Sequence, residues 1–315
     1  MKLEKVLVLE GGYNEEHEIS LSTAKEVKKS LNDLKIEFDS LIVNPKTFKK
    51  DIMNFDNKYI CFNALHGTFG EDGSIQNILD DLNFKYTHSS SKSSNIGFNK
   101  NLSKKEIEDT PIIYPEYLNL NISDLNEEKL KELFNNMGAF IIKPNSSGSS
   151  FGISIFSSLK DINLFLDNKK DNIRKYQNHN NILIEKYLKG RELTVTVMEK
   201  NAESFPVEVT EIISFNDNFF DYNSKYTLGA SKHILPADLK KNLYDKCKRF
   251  SKLAHDKIGC RGISRSDFIL VDEDIYFLEI NTQPGLTPVS LVPEQLKKIN
   301  ISFNELILNI LKCAL

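Results

Sequence analysis

Up to about residue 95 the chain alternates short β-branched runs with amphipathic stretches of helical period, and this limits the folds open to it. "KVLVLEGG" reads as a buried strand ending in glycines, and "SLSTAKEVKKSL" as a helix that Ser20 could cap. "FDSLIV" and "KYICFNAL" are further strands, and "GSIQNILDDL" is a second helix. Strands that alternate with helices imply a mostly parallel sheet. The polar run "THSSSKSSN" closes this first unit, residues 1–95.

A second unit, 96–182, holds the helix "SDLNEEKLKELFNNMG", stopped by Gly138, and then the strands "AFIIKP" and "GISIF". Between those strands lies "NSSGSSFG", with Lys143 at its base. A P-loop would lead from a strand into a helix and end in Gly-Lys-Ser/Thr. Here the glycines join two strands, so the segment reads as a hairpin able to fold over a ligand. Its composition alone would equally suit a flexible linker. The third unit, 183–315, runs from "NILIEKYL" and "RELTVTVME" to the helix "SFNELILNILKCAL", where Ser302 and Glu305 have capping-box spacing.

Bulk properties exclude several classes. With 315 residues, 40% hydrophobic and 27% charged, the chain can bury the core of an ordinary α/β globular protein. A net charge of −3, with lysines interleaved among acids, gives no footprint for nucleic acid. Four cysteines without CxxC spacing argue against zinc or a disulfide framework. No apolar run reaches the roughly 20 residues that cross a bilayer, and no leader segment is evident, so a cytoplasmic protein is expected.

The most specific chemical signal is "RSDFILVDEDIYFLEINTQPG". Two strands flank an acidic stretch that reads as a three-residue turn, Asp272 to Asp274. Pairing Val271 with Ile275 sets Asp267 opposite Glu279 and Arg265 opposite Asn281, all four on one face. Opposed carboxylates repel and need a cation between them. Two acids and an amide oxygen suit Mg²⁺, a hard ion with oxygen ligands. The same face would also serve as the solvated side of an edge hairpin.

Other segments are weaker. "LIEKYLKGRELTVTV" places Glu185, Leu188 and Glu192 where acids could meet an adenine amine and ribose hydroxyls, or simply end a strand. "LEGGYNEEHEIS" sets Glu16 after a Gly-Gly turn but lacks GxGxxG, which argues against a dinucleotide site. "NALHGTFGEDG" puts His66 at a strand's C-terminal end, where open α/β sheets place ligands and where a structural histidine is as common. "FFDYNSKYTLGASKH" carries Lys225 and Tyr226 in a polar, loop-like setting.

Taken in order, "LEGGYNEEHEIS", "NALHGTFGEDGSIQ", "KPNSSGSSFG", "LIEKYLKGRELTV", "DYNSKY", "GCRGISRSDF" and "LEINTQPGLTPVSLVP" closely resemble the D-alanine–D-alanine ligases of the ATP-grasp superfamily. The resemblance implies three α/β domains, with ATP held between central and C-terminal sheets, and two D-alanines joined through an acyl phosphate for peptidoglycan synthesis. It assigns ATP contacts to Lys100, Lys143, Gly148, Ser149, Ser150, Glu185, Leu188, Glu192 and Lys225. Asp267, Glu279 and Asn281 match the site for two Mg²⁺ ions, which Mn²⁺ can replace. Glu16 matches the acid that holds the first substrate's ammonium, and His66 lies near the substrates. Arg265 and the Gly285 amide match the oxyanion donors, and Ser290 with the Leu291 amide the second carboxylate's site. Ser149 and Tyr226 match a hydrogen-bonded pair between the glycine-rich loop and a mobile loop. A homodimer, with no membrane or nucleic-acid partner, is also implied.

The chain departs from the family pattern at Ser147, commonly a glutamate, at Asn99, often an aspartate, and at Tyr13 and Asn14, where small residues are usual. A D-alanine–D-lactate type ligase is the near alternative, against which the Lys225–Tyr226 pair counts. A non-catalytic ATP-grasp binding protein is a second alternative, against which the intact Arg265, Asp267, Glu279 and Asn281 count.

Overall fold

The computed structural model describes residues 5–148, 152–168, 172, 176, 181–214 and 231–315. The expected parallel sheet is present, with strands in the order β2-β1-β3-β4: β1 is Val6–Gly11, β2 Phe38–Val43, β3 Ile60–Asn63 and β4 Lys85–Tyr86. Strand alternation divides its side chains between two cores. Val6, Val8, Ile60 and Phe62 face Ala24, Val27 and Leu31 of helix α1, His17–Asp33. Leu7, Leu9 and Cys61 face Phe48 and Ile52, from the segment that includes α2 (Phe48–Asp51), and Ile75 and Leu79 of α3 (Ser74–Asp81). Ser20 does not cap α1, which begins three residues earlier. Its hydroxyl instead accepts from the Gly11 amide at 2.8 Å and donates to the Ala64 carbonyl at 2.9 Å, stapling two strand ends together.

Two short helices, α4 (Ser91–Phe98) and α5 (Lys100–Glu106), lead to an antiparallel sheet ordered β5-β8-β6-β7. Its strands are β5 (Tyr117–Asn121), β6 (Phe140–Pro144), β7 (Ser154–Phe156) and β8 (Asn181–Lys186). Leu130 and Leu133 of α6 (Glu127–Met137) and Ile162 and Phe165 of α7 (Leu159–Asp167) cover one face. Gly138 ends α6 at φ +74°, as expected. β8 runs through position 182 and pairs with both β5 and β6, so this sheet extends past that point in the sequence.

The third sheet is antiparallel in the order β11-β10-β9-β12-β13. β9 is Arg191–Lys200, β10 Glu203–Ser214, β11 Ser231–Ile234, β12 Ile263–Val271 and β13 Asp274–Asn281. Helix α8 (Lys241–Ile258) packs Cys247, Phe250 and Ala254 against Val195, Val209, Phe268 and Phe277. After α9 (Leu291–Lys298), helix α10 (Phe303–Cys313) starts in the expected Ser302–Glu305 capping box. Its Leu306, Ile307, Ile310 and Leu311 join the core that α1 shares with the first sheet, and the chain's last helix packs against α1 and β9.

The β12–β13 hairpin differs from expectation in its turn. The turn has two residues, Asp272 at φ +53° and Glu273, and Val271 pairs with Asp274. Carried through unbroken, that register would put Leu278 opposite Asp267. Instead the register shifts between Asp267 and Phe268: Phe268 pairs with Phe277, and Asp267 with Glu279. Leu278 is the extra residue of a β-bulge. Buried Ile275 and Phe277 are followed by buried Ile280, and the two residues between them both stay off the core face. The bulge therefore restores the pairings Asp267–Glu279 and Arg265–Asn281.

Phe268 and Phe277, directly paired with ring centroids 5.9 Å apart, anchor the register just before the bulge. Phe277→Ala should cost about 3–5 kcal/mol. Urea denaturation checks this as a lowered midpoint at unchanged slope, and a loss below about 1 kcal/mol would contradict the anchoring role.

Candidate active site

The hairpin brings like charges face to face, and the neighbouring elements supply the cations. Arg265 donates from Nε to Asp267 Oδ1 at 2.9 Å and from Nη2 to Oδ2 at 2.8 Å. Thr194, opposite Asp267 on β9, donates to Oδ1 at 2.6 Å. Asn281 Nδ2 lies 3.5 Å from Asp267 Oδ2. Lys100, at the start of α5, places Nζ 3.0 Å from Glu279 Oε2 and donates to the Ser147 carbonyl at 2.8 Å. One lysine thus joins the hairpin to the base of the glycine-rich loop.

Among the described residues, no group of three or more His, Cys, Asp or Glu gathers around a common point. The candidate donor set is different in kind: two carboxylates and an amide on one strand face. Such hard oxygen donors fit Mg²⁺.

The base of the loop is organised by Asn99, whose side chain caps α5 by accepting from the Leu102 amide at 2.9 Å. It also accepts from Asn145 Nδ2 at 3.0 Å, and Asn145 Oδ1 accepts from the Asn101 amide. An asparagine therefore serves as cap here where an aspartate was expected. Behind this corner Glu185 is 0% exposed, with Lys104 Nζ 2.9 Å from Oε1 and Lys143 Nζ in close contact with Oε2. Burial pushes the Glu185 carboxyl up, but the two ammonium groups outweigh it and hold it below the ordinary range. Its carboxylate is turned inward, so any contact it makes with a base in the cleft would go through its main chain.

On the opposite wall Glu16 is the residue before α1 and is largely buried. Asn14 Oδ1 accepts from the Glu16 amide at 2.9 Å, while Nδ2 donates to the carbonyls of His66 and Thr68. Gly67, at φ +69°, packs directly on the carboxylate, where a Cβ would stand 2.5 Å from Glu16 Oε2. Gly148 closes the other side, its virtual Cβ 3.1 Å from the same oxygen. His66 is held at both nitrogens, with Nδ1 3.0 Å from Glu71 Oε1 and Nε2 2.9 Å from Thr23 Oγ1.

The third wall is the start of α9. Ser290 occupies the N-cap position without capping: its hydroxyl accepts from the Thr287 amide at 3.0 Å and lies 2.8 Å from Thr287 Oγ1. The helix thus has no side-chain cap at its N-terminus, an end whose amides favour anions. Gly285 is required beside it, since a Cβ there would approach Ser290 Oγ to 2.9 Å.

Two adjoining clefts result. One, of about 640 Å³ including its open mouth, is lined by Glu16, His66, Gly148 and Arg265, and across from them by Gly285, Ser290 and Leu291. The other, about 310 Å³, is lined by Lys100, Ser147, Gly148 and Glu279. Asn281, Glu71 and Gly148 border both. Lys143, Glu185, Leu188, Glu192 and Asp267 line neither, while Ser149, Ser150, Lys225 and Tyr226 lie outside the described residues. Sequence reasoning missed Glu71, His233 and Gln283 on the larger cleft and the buried Lys104. Glu71, His233 and Gln283 all stand within the quoted segments "NALHGTFGEDG", "FFDYNSKYTLGASKH" and "LEINTQPGLTPVSLVP", but nothing local marks Lys104. The arrangement can hold a polyphosphate with a hard cation in one compartment and an amino acid in the next, with Arg265 and a backbone amide facing the junction.

A family model described as D-ala D-ala ligase C-terminus matches residues 89–312. A D-alanine–D-alanine ligase of Pelagibacter ubique is 40% identical over 98% of both chains. The corresponding ligase of Zymomonas mobilis is 40% identical over 95% of this chain and 90% of its own. Among solved structures, a Bacillus anthracis D-alanine–D-alanine ligase complexed with ATP superposes with a TM-score of 0.80 at 26% identity, covering 100% of this chain and 97% of that one.

The His66–Glu71 contact has a measurable consequence. Burial lowers the His66 pKa, but the Glu71 hydrogen bond and charge, aided by Glu16, outweigh it and raise the pKa above the ordinary 6.5. A raised folded-state value stabilises the protein below the unfolded pKa, and this contribution is lost as pH rises through the folded value. Glu71→Gln should lower the His66 pKa, read from its imidazole NMR titration. It should also flatten that fall in stability on going from about pH 6.5 upward. An unchanged titration would rule out the contact as the cause.

Proposed function

This chain belongs to the D-alanine–D-alanine ligase family, with its ATP-grasp fold, and we propose that its clefts join two D-alanines at the expense of ATP. The observation that carries this reading is the pairing of Asp267 with Glu279 beside Arg265, on a face that Lys100 ties to the glycine-rich loop. The three sheets correspond, in this reading, to three units, with the nucleotide between the second and third.

In the proposed reaction Glu16, seated between Gly67 and Gly148, holds the ammonium of the first D-alanine. Its carboxylate attacks the γ-phosphate of ATP, giving an acyl phosphate and ADP. Lys100 and Lys143 supply positive charge to the phosphates, in keeping with the electrostatic character of phosphoryl transfer. Asp267, Glu279 and Asn281 would hold two Mg²⁺ ions, which when bound neutralise charge on the transferring phosphate. The carboxylate of the second D-alanine rests on Ser290 and the Leu291 amide, and its amine attacks the acyl carbon. Arg265 and the Gly285 amide face the oxyanion that forms, and inorganic phosphate leaves. Activation is needed because a carboxylate oxygen is a poor leaving group. Closure of the loop segments bearing Ser149, Ser150, Lys225 and Tyr226 would keep water from the acyl phosphate.

No helix of the described residues is long and apolar enough to cross a membrane. We further assign a cytoplasmic homodimer, on the family resemblance, which sedimentation of the purified chain would test.

Phosphate release from ATP, with the product identified by mass spectrometry, tests the whole reading. Release should require D-alanine and yield D-alanyl-D-alanine. Added D-lactate should not divert it to a depsipeptide at either neutral or mildly acid pH. Equal release without any D-amino acid would sink the proposal. Within it, Arg265→Ala should lower kcat by about 10²–10³-fold. Glu279→Gln should reduce turnover at least as far while leaving thermal unfolding cooperative, and retained turnover would remove Glu279 from the metal set.

A further inference from the structure

Lys104 stands one helical turn beyond Lys100 on α5, and its side chain is 0% exposed. An ammonium leaves water only where other groups replace its hydration. Here Nζ lies 2.9 Å from Glu185 Oε1 and donates to the Leu278 carbonyl at 3.1 Å. The rings of Tyr114, Tyr117 and Phe277 surround it, with centroids 5.8, 5.9 and 5.7 Å away. Leu278 is the bulge residue of β13, so the ammonium is gripped from both the second and the third sheet. Glu185 carries a second cation, Lys143, on its other oxygen. Two lysine side chains share one carboxylate, one on each oxygen. Lys104 is sealed inside, and of the two Lys143 alone retains slight exposure.

We propose that Lys104 is a positioning residue for ATP: by occupying one oxygen of Glu185, it shares that carboxylate with Lys143, so that Lys143 is not wholly neutralised inside and can still act on the phosphates. This rests on the ATP-dependent reading of the clefts given above. Without Lys104 the full charge of a buried carboxylate falls on Lys143, whose existing contact with Glu185 tightens and which offers less to the phosphates. The aromatic rings and the bulge carbonyl fix Lys104 in place, so it cannot swing out to bind the nucleotide itself.

The test is calorimetric ATP binding to the full-length chain as wild type, Lys104→Met, Glu185→Gln and the double variant, with steady-state kinetics alongside. Lys104→Met should bind ATP at least tenfold more weakly, while the KM for D-alanine at saturating ATP changes less than threefold. Adding Glu185→Gln removes the charge that captures Lys143, so the double variant should bind ATP at least fivefold more tightly than Lys104→Met. A merely structural lysine would give no such rescue. Should Lys104→Met fail to fold, the double variant must fold and bind ATP within tenfold of wild type. A double variant that does not fold, or that binds no better than Lys104→Met, overturns the proposal. So does a Lys104→Met chain that binds ATP within twofold of wild type beside a wild type that binds normally. A wild-type chain that binds no ATP overturns the reading of the site, and this proposal with it.

Discussion

Two carboxylates held opposite each other on one sheet face set the terms for everything around them. At 4 Å and an effective dielectric of about 20, like charges repel by roughly 4 kcal/mol. A favourable cross-strand pair contributes only about 0.2–1 kcal/mol. A hairpin that opposes Asp267 to Glu279 therefore cannot be stabilised by that pairing and needs cations beside it. Arg265 comes from the same strand, two residues from Asp267, and forks onto both of its oxygens. Lys100 comes from a helix that precedes the second sheet, and it binds Glu279 and the Ser147 carbonyl together. Neutralising the hairpin thus draws the corner of the glycine-rich loop against it, and the smaller cleft lies between them.

The acids of this region are held in three distinct ways. Asp267 and Glu279 keep part of their surface exposed, with cations at one side, and Glu279 borders the smaller cleft. Glu185 is sealed, and its charge is met inside by two ammonium groups. Glu16 sits between Gly67 and Gly148, and a methyl group at either glycine would crowd it. Gly148 borders both clefts, so the glutamate it packs against stands at their junction.

Much of the frame was legible in the sequence because it follows from short-range rules. The parallel first sheet follows from alternating strand and helix periods, the end of α6 from Gly138, and the start of α10 from Ser302 and Glu305. The pairing of Asp267 with Glu279 was read from a three-residue turn, whereas the chain uses a two-residue turn and recovers one residue at Leu278. The two slips cancel because the constraint lies in the core. Phe277 and Ile280 must both be buried, and only an extra residue between them allows it. Ser20 looked like a cap because its neighbours are polar, yet its partners are on two strands, with Ala64 distant in sequence. Lys104 was illegible for a related reason. It lies in "KNLSKKEIED", which reads as a solvated helix, and its neighbour Lys105 is indeed exposed. What buries Lys104 are groups at Glu185 and Leu278, and no local pattern reports contacts of that range.

Long-range polar contacts also hold the amino-acid compartment to the nucleotide compartment. Gln283, just past the hairpin, donates to the Leu65 carbonyl and accepts from Asn63 at 2.8 Å, so it pins the end of β13 to the end of β3. Arg261, just before β12, donates to the carbonyls of Tyr86 and His88 beside β4, both at 2.7 Å. The two ends of the hairpin are thus fastened to the first sheet, and α10 joins α1 to β9 beside them. Glu16 and His66 are carried by that sheet, and Arg265 and Asn281 by the hairpin. Their spacing is set by buried hydrogen bonds, which tolerate little sliding compared with an apolar interface. A reaction that passes an acyl phosphate from one compartment to the next needs the two held in fixed register while only the cover moves. The fastening supplies that register, and Lys100 and Asn145 tie the described base of the glycine-rich segment to the same corner.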